Sequence, residues 1–243
     1  MNSSKYLSIF LLIILWQGFS LVLNSELFPS LIDILKSLYE HCINKDLIFH
    51  LLITLKRVFI SFILAMVIGI FFGILMGTFH KNDSLLNIFL IIGLNIPAIV
   101  TIMICYIWFG LSDFAAILAV VINKVPIIIV NIKEGVRAID KKYMDLVKIY
   151  KIEKKDVITK IYIPQIYPYI MATTRLTISL VWKIVLVVEL LGRSDGIGFK
   201  IAIFFQDFDI TSIFAYSFAF IFVVILVEKL LLNPLDKKAT KWR

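Results

Sequence analysis

A chain of 243 residues that is 60% hydrophobic, with a mean hydropathy of +0.96, carries more apolar length than one soluble core can bury. That excludes a soluble enzyme or binding module and identifies an integral membrane protein. Its net charge of +8 fits lysine and arginine gathered on one side of a membrane, so no nucleic-acid partner is expected.

A crossing of the hydrocarbon layer takes roughly 20 apolar residues, and the sequence offers about six such stretches with short connections. The expected fold is therefore an all-α membrane protein with spans at 6–23, 58–77, 85–109, 114–132, 166–191 and 210–232. The first follows Lys5, is longer than a signal-peptide apolar region and lacks an Ala-x-Ala-like exit, so 1–24 reads as a retained anchor. Within an extracytoplasmic segment at 25–57, Leu31, Ile34, Leu35 and Leu38 recur at helical spacing among Asp33, Lys36 and Glu40. This predicts a short surface helix over 28–39.

The core of the chain, 58–232, opens with Ser61, Ala65, Gly69, Gly73 and Gly77 at every fourth position of the second span. Small residues in that register form a helix-packing seam, although glycine is common in membrane helices in any case. The next two spans hold Asn95 with Pro97, and Asn123 and Lys124 with Pro126. Proline frees a backbone carbonyl, and the polar neighbours either satisfy it at a kink or face a wet pathway.

Between 133 and 165 the chain leaves the membrane with nine basic and five acidic residues. Leu146, Ile149 and Tyr150 fall on one helical face, and Val157, Ile158, Ile161 and Tyr162 on another. Two amphipathic helices joined by a charged bend are predicted. Taken alone they fit anionic lipid.

The fifth span carries Arg175, Trp182, Lys183 and Glu189 on roughly one sector of a helix. They line a conduit, or they form an internal ion pair or reach toward a membrane face. The loop at 192–209 contains GRSDGIG and is expected to turn tightly. The chain closes with a basic tail at 233–243.

Charge bias orients the whole. With the amino terminus in the cytosol, Lys5, Lys81, Lys133, Arg137, Lys141, Lys142, Lys148, Lys151, Lys154, Lys155, Lys160, Lys237, Lys238, Lys241 and Arg243 lie inside. Lys36, Lys45, Arg193 and Lys200 lie outside. The expected site is a cell membrane, crossed several times, with both termini cytoplasmic. Cys42 and Cys105 are far apart, so neither a disulfide framework nor a metal site is indicated.

The segment from Asp145 to Pro164 resembles the cytoplasmic coupling loop of the permease subunits of ATP-binding-cassette importers. That loop has the pattern Glu-Ala-Ala, three residues, Gly, nine residues, Ile-x-Leu-Pro. Asp145 takes the glutamate place, Lys151 the glycine, Ile161 the isoleucine, Ile163 the leucine and Pro164 the proline, with Leu146 and Val147 where the alanines stand. FPSLIDIL at Phe28, TLKRVFISF at Thr54, NIPAIVTIMICYIWFG at Asn95, TRLTISLVWKIVLVVELLG at Thr174 and GIGFKI at Gly196 are similar, in the same order, to the nitrate, sulfonate and taurine branch. The resemblance implies a six-helix permease bundle that pairs with a second permease copy. It also implies an ATPase dimer docked at the loop and an extracytoplasmic solute-binding protein on the far side.

The loop residues implicated in coupling are Asp145, Leu146, Val147, Ile149, Tyr150, Lys151, Lys154, Lys155, Ile161, Ile163 and Pro164. No cofactor is expected on this chain: it has no Gly-x-x-x-x-Gly-Lys-Ser/Thr phosphate loop, so ATP and magnesium belong to the partner ATPase. The cargo class implied is a sulfonate-, nitrate- or taurine-like anion, or a heterocycle resembling a thiamine precursor. Two other classes compete. An ion-coupled carrier would show two pseudo-repeated halves, and a membrane-embedded enzyme would cluster Asp, Glu or His, whereas His41, His50 and His80 are scattered.

Overall fold

The computed structural model describes residues 3–23, 25–44, 46–78 and 83–232. Lys45, Lys81 and the tail at 233–243, with Lys237, Lys238, Lys241 and Arg243, lie outside the described residues. All regular structure among the described residues is helical, as the apolar runs dictate.

The order is α1 Ser3–Leu23, α2 Leu31–Ile43, α3 Asp46–Thr78, α4 Asp83–Asn95, α5 Ala98–Phe109 and α6 Asp113–Arg137. Then follow α7 Lys141–Tyr150, α8 Lys154–Asp156, α9 Ile163–Gly192, α10 Ile197–Gln206 and α11 Ile210–Val227. Short polar residues start several of them by binding an otherwise orphaned N–H. Ser30 accepts from Asp33 N at 3.1 Å before α2, Ser112 from Ala115 N at 3.2 Å before α6, and Asp209 from Ser212 N at 3.0 Å before α11.

Among the described residues three helices are long and apolar enough to cross a membrane: α3, α6 and the stretch Ile210–Leu230. α4 and α5 make a fourth if read as one crossing bent by 100°. The other two expected spans are helices as well. α9 runs for 30 residues but carries Arg175, Lys183 and Glu189, and α1 offers the shorter apolar piece Phe10–Leu23.

Three expectations change. The second span begins at Asp46 rather than at 58, because α3 continues unbroken through Thr54 and Arg57, whose polar groups are bound inside the bundle. The third, expected as one helix over 85–109, is broken. Pro97 has no N–H to extend α4 and disfavours α conformation at Ile96, so the chain turns and α5 starts afresh at Ala98. The loop expected at 192–209 contains a helix, α10, whose Ile197 and Phe204 are buried.

Pro126 behaves differently from Pro97. It sits buried inside a continuous α6, and Gly93 of α4 rests on it so closely that a Cβ there would lie 2.7 Å from Pro126 Cγ. One proline breaks a crossing; the other is a surface on which the broken crossing packs.

The core is the α3–α6 pair with α9 against it. Every fourth residue of α3 is small, and the ridge of α6 fills the groove: Cβ atoms added at Gly69, Gly73 and Gly77 would meet Ile128 Cγ2 at 2.5 Å, Ile132 Cβ at 2.7 Å and Val136 Cβ at 2.5 Å. Ser61 and Ala65 continue the buried stripe. Close backbone approach of this kind maximises dispersion contact where lipid supplies no hydrophobic drive.

Candidate functional site

Two ends of the bundle carry most of its polar chemistry. At one end α6 gives way to an elbow. Ala138 N–H closes α6 on Glu134 O, Asp140 then starts α7 by accepting from Lys142 N at 2.9 Å, and Ile139 bridges the two. α7 ends where Lys151 adopts a left-handed conformation, φ 48° and ψ 43°, so that the N–H groups of Lys151 and Ile152 both reach Val147 O. This is a helix C-cap geometry that glycine adopts without steric cost.

The second amphipathic piece is not a separate helix, contrary to expectation. From Lys154 the backbone stays helical through α8 and a π-helical stretch, Val157–Tyr162, straight into α9. Ile163 N–H bonds Ile158 O, one residue further back than in an α-helix. The cause is local: Pro164 lacks the N–H that would close on Lys160 O, and its ring crowds that carbonyl, so the turn widens.

The elbow is tied to the bundle by Asp140 N to Gln165 Oε1 at 3.3 Å and by Tyr162 OH to Thr78 Oγ1 at 2.9 Å. Ile149 and Tyr150 are each 72% exposed and Ile158 is 53% exposed. Lys151 and Lys155 are exposed, Ile163 is half exposed, and Val147, Ile161 and Pro164 are partly covered. The side chains of Asp145, Leu146 and Lys154 lie outside the described ones.

At the opposite end a guanidinium is enclosed. Arg57 of α3 donates from Nη1 to Glu189 Oε1 and to Asp195 O, both at 2.9 Å, and from Nε to Asp113 Oδ1 at 2.8 Å. Its Nη2 reaches Asp113 Oδ1 at 2.6 Å and the Asp195 carboxylate. Glu189 has no exposed surface; Thr54 Oγ1 lies 2.8 Å from its Oε2, and Gly198 N–H donates to it at 3.0 Å. Gly196 N–H donates to His50 Nδ1 at 2.9 Å, and Ile197 N–H to Thr54 Oγ1 at 2.8 Å. Gly196 has φ +103°, and a side chain there would run into the Glu189 carboxylate, so the turn requires glycine twice over.

These bonds join TLKRV of α3 to ELLGRSDGIG at the end of α9, two segments far apart in sequence. Periodicity and motif spacing do not single out Arg57, Thr54, His50, Asp113 or Asp195. The expected span begins just past Arg57, which hides a signal that the sequence does carry: one buried carboxylate in the fifth span and one arginine within an apolar helix imply each other.

The candidate pathway residues do not share one environment. On α9 Trp182 packs edge-on to Phe220 at 5.6 Å and Glu189 is locked to Arg57, whereas Arg175 and Lys183 are exposed. Asn95 is exposed at the broken crossing and donates from Nδ2 to Ile91 O at 2.7 Å; Pro97 is exposed beside it. Asn123 and Lys124 are half-buried midway along α6. Among the described residues no group of three or more His, Cys, Asp or Glu is placed to hold a metal ion.

Comparison with known proteins agrees with this architecture. The chain is 29% identical over 205 residues to the nitrate import permease protein NrtB of Synechococcus elongatus, covering 80% of this chain and 73% of that one. It is 26% identical over 234 residues to SsuC of Bacillus subtilis, named for aliphatic sulfonates transport, covering 96% and 84%. It is 29% identical over 160 residues to the bicarbonate transport permease CmpB of Synechococcus elongatus, covering 65% and 58%. The fold superposes on a chain of the MetNI methionine ABC transporter with TM-score 0.66 at 16% identity, covering 77% of this chain and 93% of that one. It superposes on a chain of an amino acid ABC transporter with TM-score 0.68 at 18% identity, covering 83% and 97%. Residues 65–232 match the family described as the inner membrane component of binding-protein-dependent transport systems, and the chain belongs to that family: it is a permease of an ABC importer, a transport subunit rather than an enzyme.

Proposed function

We propose that two copies of this chain, held in a cell membrane with both termini in the cytosol, enclose the path of a small solute. ATP and magnesium act on a separate ATPase dimer gripped at the elbow, 133–165, and a solute-binding protein delivers cargo at the Arg57 end. The observation that carries the reading is the elbow itself. Its apolar side chains Ile149 and Tyr150 on α7 and Ile158 beyond the Lys151 turn stand exposed, and from Lys154 its backbone runs as one helix into α9. A protruding rigid element with an uncovered apolar face is what a moving partner can hold, and continuity with α9 carries the motion into the bundle. The exposed lysines ring that contact. Relatives named for sulfonate, nitrate and bicarbonate transport support a small anion as cargo.

The test reverses charge at Lys151, Lys154 and Lys155 and, separately, replaces Ile149 and Tyr150 by aspartate. Co-purification of the ATPase and ATP-driven uptake should both be lost, by roughly 30-fold or more in affinity where two central apolar contacts go. Uptake driven by an ion gradient in vesicles without ATP would replace this reading by an ion-coupled carrier. Retained ATPase binding with lost vesicle binding would assign the elbow to lipid.

A further inference from the structure

We infer that the exposed face of α9 is one wall of the solute path, and that it looks across water onto the same face of a second copy rather than onto lipid. This deepens the importer reading, on which it rests, by naming the surface that lines the path and the partner that closes it.

Burial divides α9 lengthwise. Between 175 and 190 its exposed residues are Arg175, Leu176, Ser179, Lys183, Val187 and Leu190. At 3.6 residues per turn all but Arg175 fall within an arc of about 80°, and Arg175 stands beside it. Thr177, Val181, Ile184, Val185 and Val188, on the other side, are buried.

Other helices show what this chain presents to lipid. Every exposed side chain of α3 between 58 and 77 is apolar, Phe59 and Phe71 among them. So is every exposed one of α5, such as Ile107, and of α11, such as Phe222. Of these four surfaces only that of α9 carries charge, at Arg175 and Lys183. Ser179 adds nothing to the contrast, because its hydroxyl already donates to Arg175 O at 3.1 Å.

Depth separates the two charges. Arg175 lies twelve residues after Ile163 and Lys183 nine before Gly192, so at about 1.5 Å per residue they stand roughly 18 and 13 Å from their respective helix ends. Side chains lean toward the amino terminus of their own helix. That carries Arg175 toward the elbow, where it reaches a membrane face, but turns Lys183 away from the face nearer to it. Snorkelling therefore does not account for Lys183. A lysine charge against hydrocarbon is costly, so the surface around it is wet.

The same surface opens outward. At the Arg57 end Leu190 also lines a cleft of about 490 Å³, together with Gly192, Arg193, Ser194 and Gln206. One helix face cannot hold water against lipid by itself; another membrane chain must cover it. A second copy, related by a twofold axis along the membrane normal, sets α9 opposite α9 at equal depth. Lys183 then meets its own like charge, which keeps the two helices from packing dry and holds a gap between them.

The test labels single cysteines with a membrane-impermeant charged thiosulfonate, supplied on both faces of vesicles that contain the full chain. Labelling of the unsubstituted chain, through its own Cys42 and Cys105, is subtracted. Ser179→Cys, Lys183→Cys and Val187→Cys should react at least about tenfold faster than Phe71→Cys and Phe222→Cys, since a thiol in apolar surroundings keeps its proton. Val187→Cys leaves Lys183 in place, so its result does not depend on removing the charge. Equal, slow labelling at all five positions overturns the wet wall. A short bis-maleimide should then link two Val187→Cys chains and not two Phe71→Cys chains. Fast labelling without that link overturns the second copy as the cover. Uptake by the chain assembled with its ATPase is measured with and without ATP: absence of ATP dependence overturns the importer reading, while the wall is decided by labelling alone.

Discussion

The two ends of α9 are built on opposite principles. At the Arg57 end the buried charges have their partners within the chain: one guanidinium serves Glu189, Asp113 and Asp195, and Thr54 with the backbone of the following turn supplies further donors. At the elbow end the charges are in solvent and the apolar side chains are the ones left without cover, Ile149 and Tyr150 above all. A helix fixed at one end and unfinished at the other is a lever with its fulcrum supplied internally and its handle left for a partner. Substitutions at the fixed end should therefore register as lost stability, and those at the free end as lost association with folding intact.

The strongest way to break the comparison is Arg57→Met. It leaves the fully buried Glu189 carboxylate with Thr54 and one backbone N–H, and stranding a buried charge costs about 3–5 kcal/mol. Thermal unfolding of the purified chain should show the loss. Adding Glu189→Met should recover most of it, because a buried pair replaced by apolar groups of similar size is close to neutral. If the double variant is as unstable as the single, the network holds the fold by more than pairing.

A smaller effect separates packing from polar bonding. Gly73→Ala would set a methyl 2.7 Å from Ile132 Cβ and 3.1 Å from Ile129 O, a branch point and a backbone atom that cannot rotate aside. The overpacking should cost about 1–3 kcal/mol. Gly18→Ala in α1, where no atom lies within 4 Å of the new methyl, should be neutral or slightly stabilising in the same unfolding measurement.

How much of this could be read from sequence depends on whether the signal is local. The α3 stripe of small residues is local, with a period of four, and so is the break at Pro97, since both act within one turn of their own helix. The helical character of every crossing follows likewise from apolar run length. Arg57 is different: its partners lie 56, 132 and 138 positions away, and only three-dimensional packing brings them together. α10 reads as a loop because a ten-residue apolar helix that opens on Gly196 and Gly198 looks like a turn until its buried neighbours are known. The two faces of α9 are also illegible. A repeat of seven or eight puts Arg175, Trp182, Lys183 and Glu189 in one sector, but which of them points into the bundle is decided by α3 and α11, through Arg57 and Phe220.

The smallest effect tests the free end at the residue where the chain departs from the coupling-loop pattern. Lys151 holds φ 48° and ψ 43° as the cap of α7, a conformation that costs a side-chain-bearing residue roughly 1–2 kcal/mol. Glycine avoids that cost but loses more chain entropy on folding, so Lys151→Gly should stabilise the elbow by only about 0.5–1 kcal/mol. Global unfolding will not reveal it, because an exposed elbow opens locally before the bundle does. Hydrogen exchange of the α7 amides will: their opening should slow about two- to fivefold. Lys151→Ala, which removes the charge and keeps the strain, should leave exchange unchanged. If alanine slows it as glycine does, repulsion among the elbow lysines governs the bend, and the left-handed turn is a consequence of their spacing.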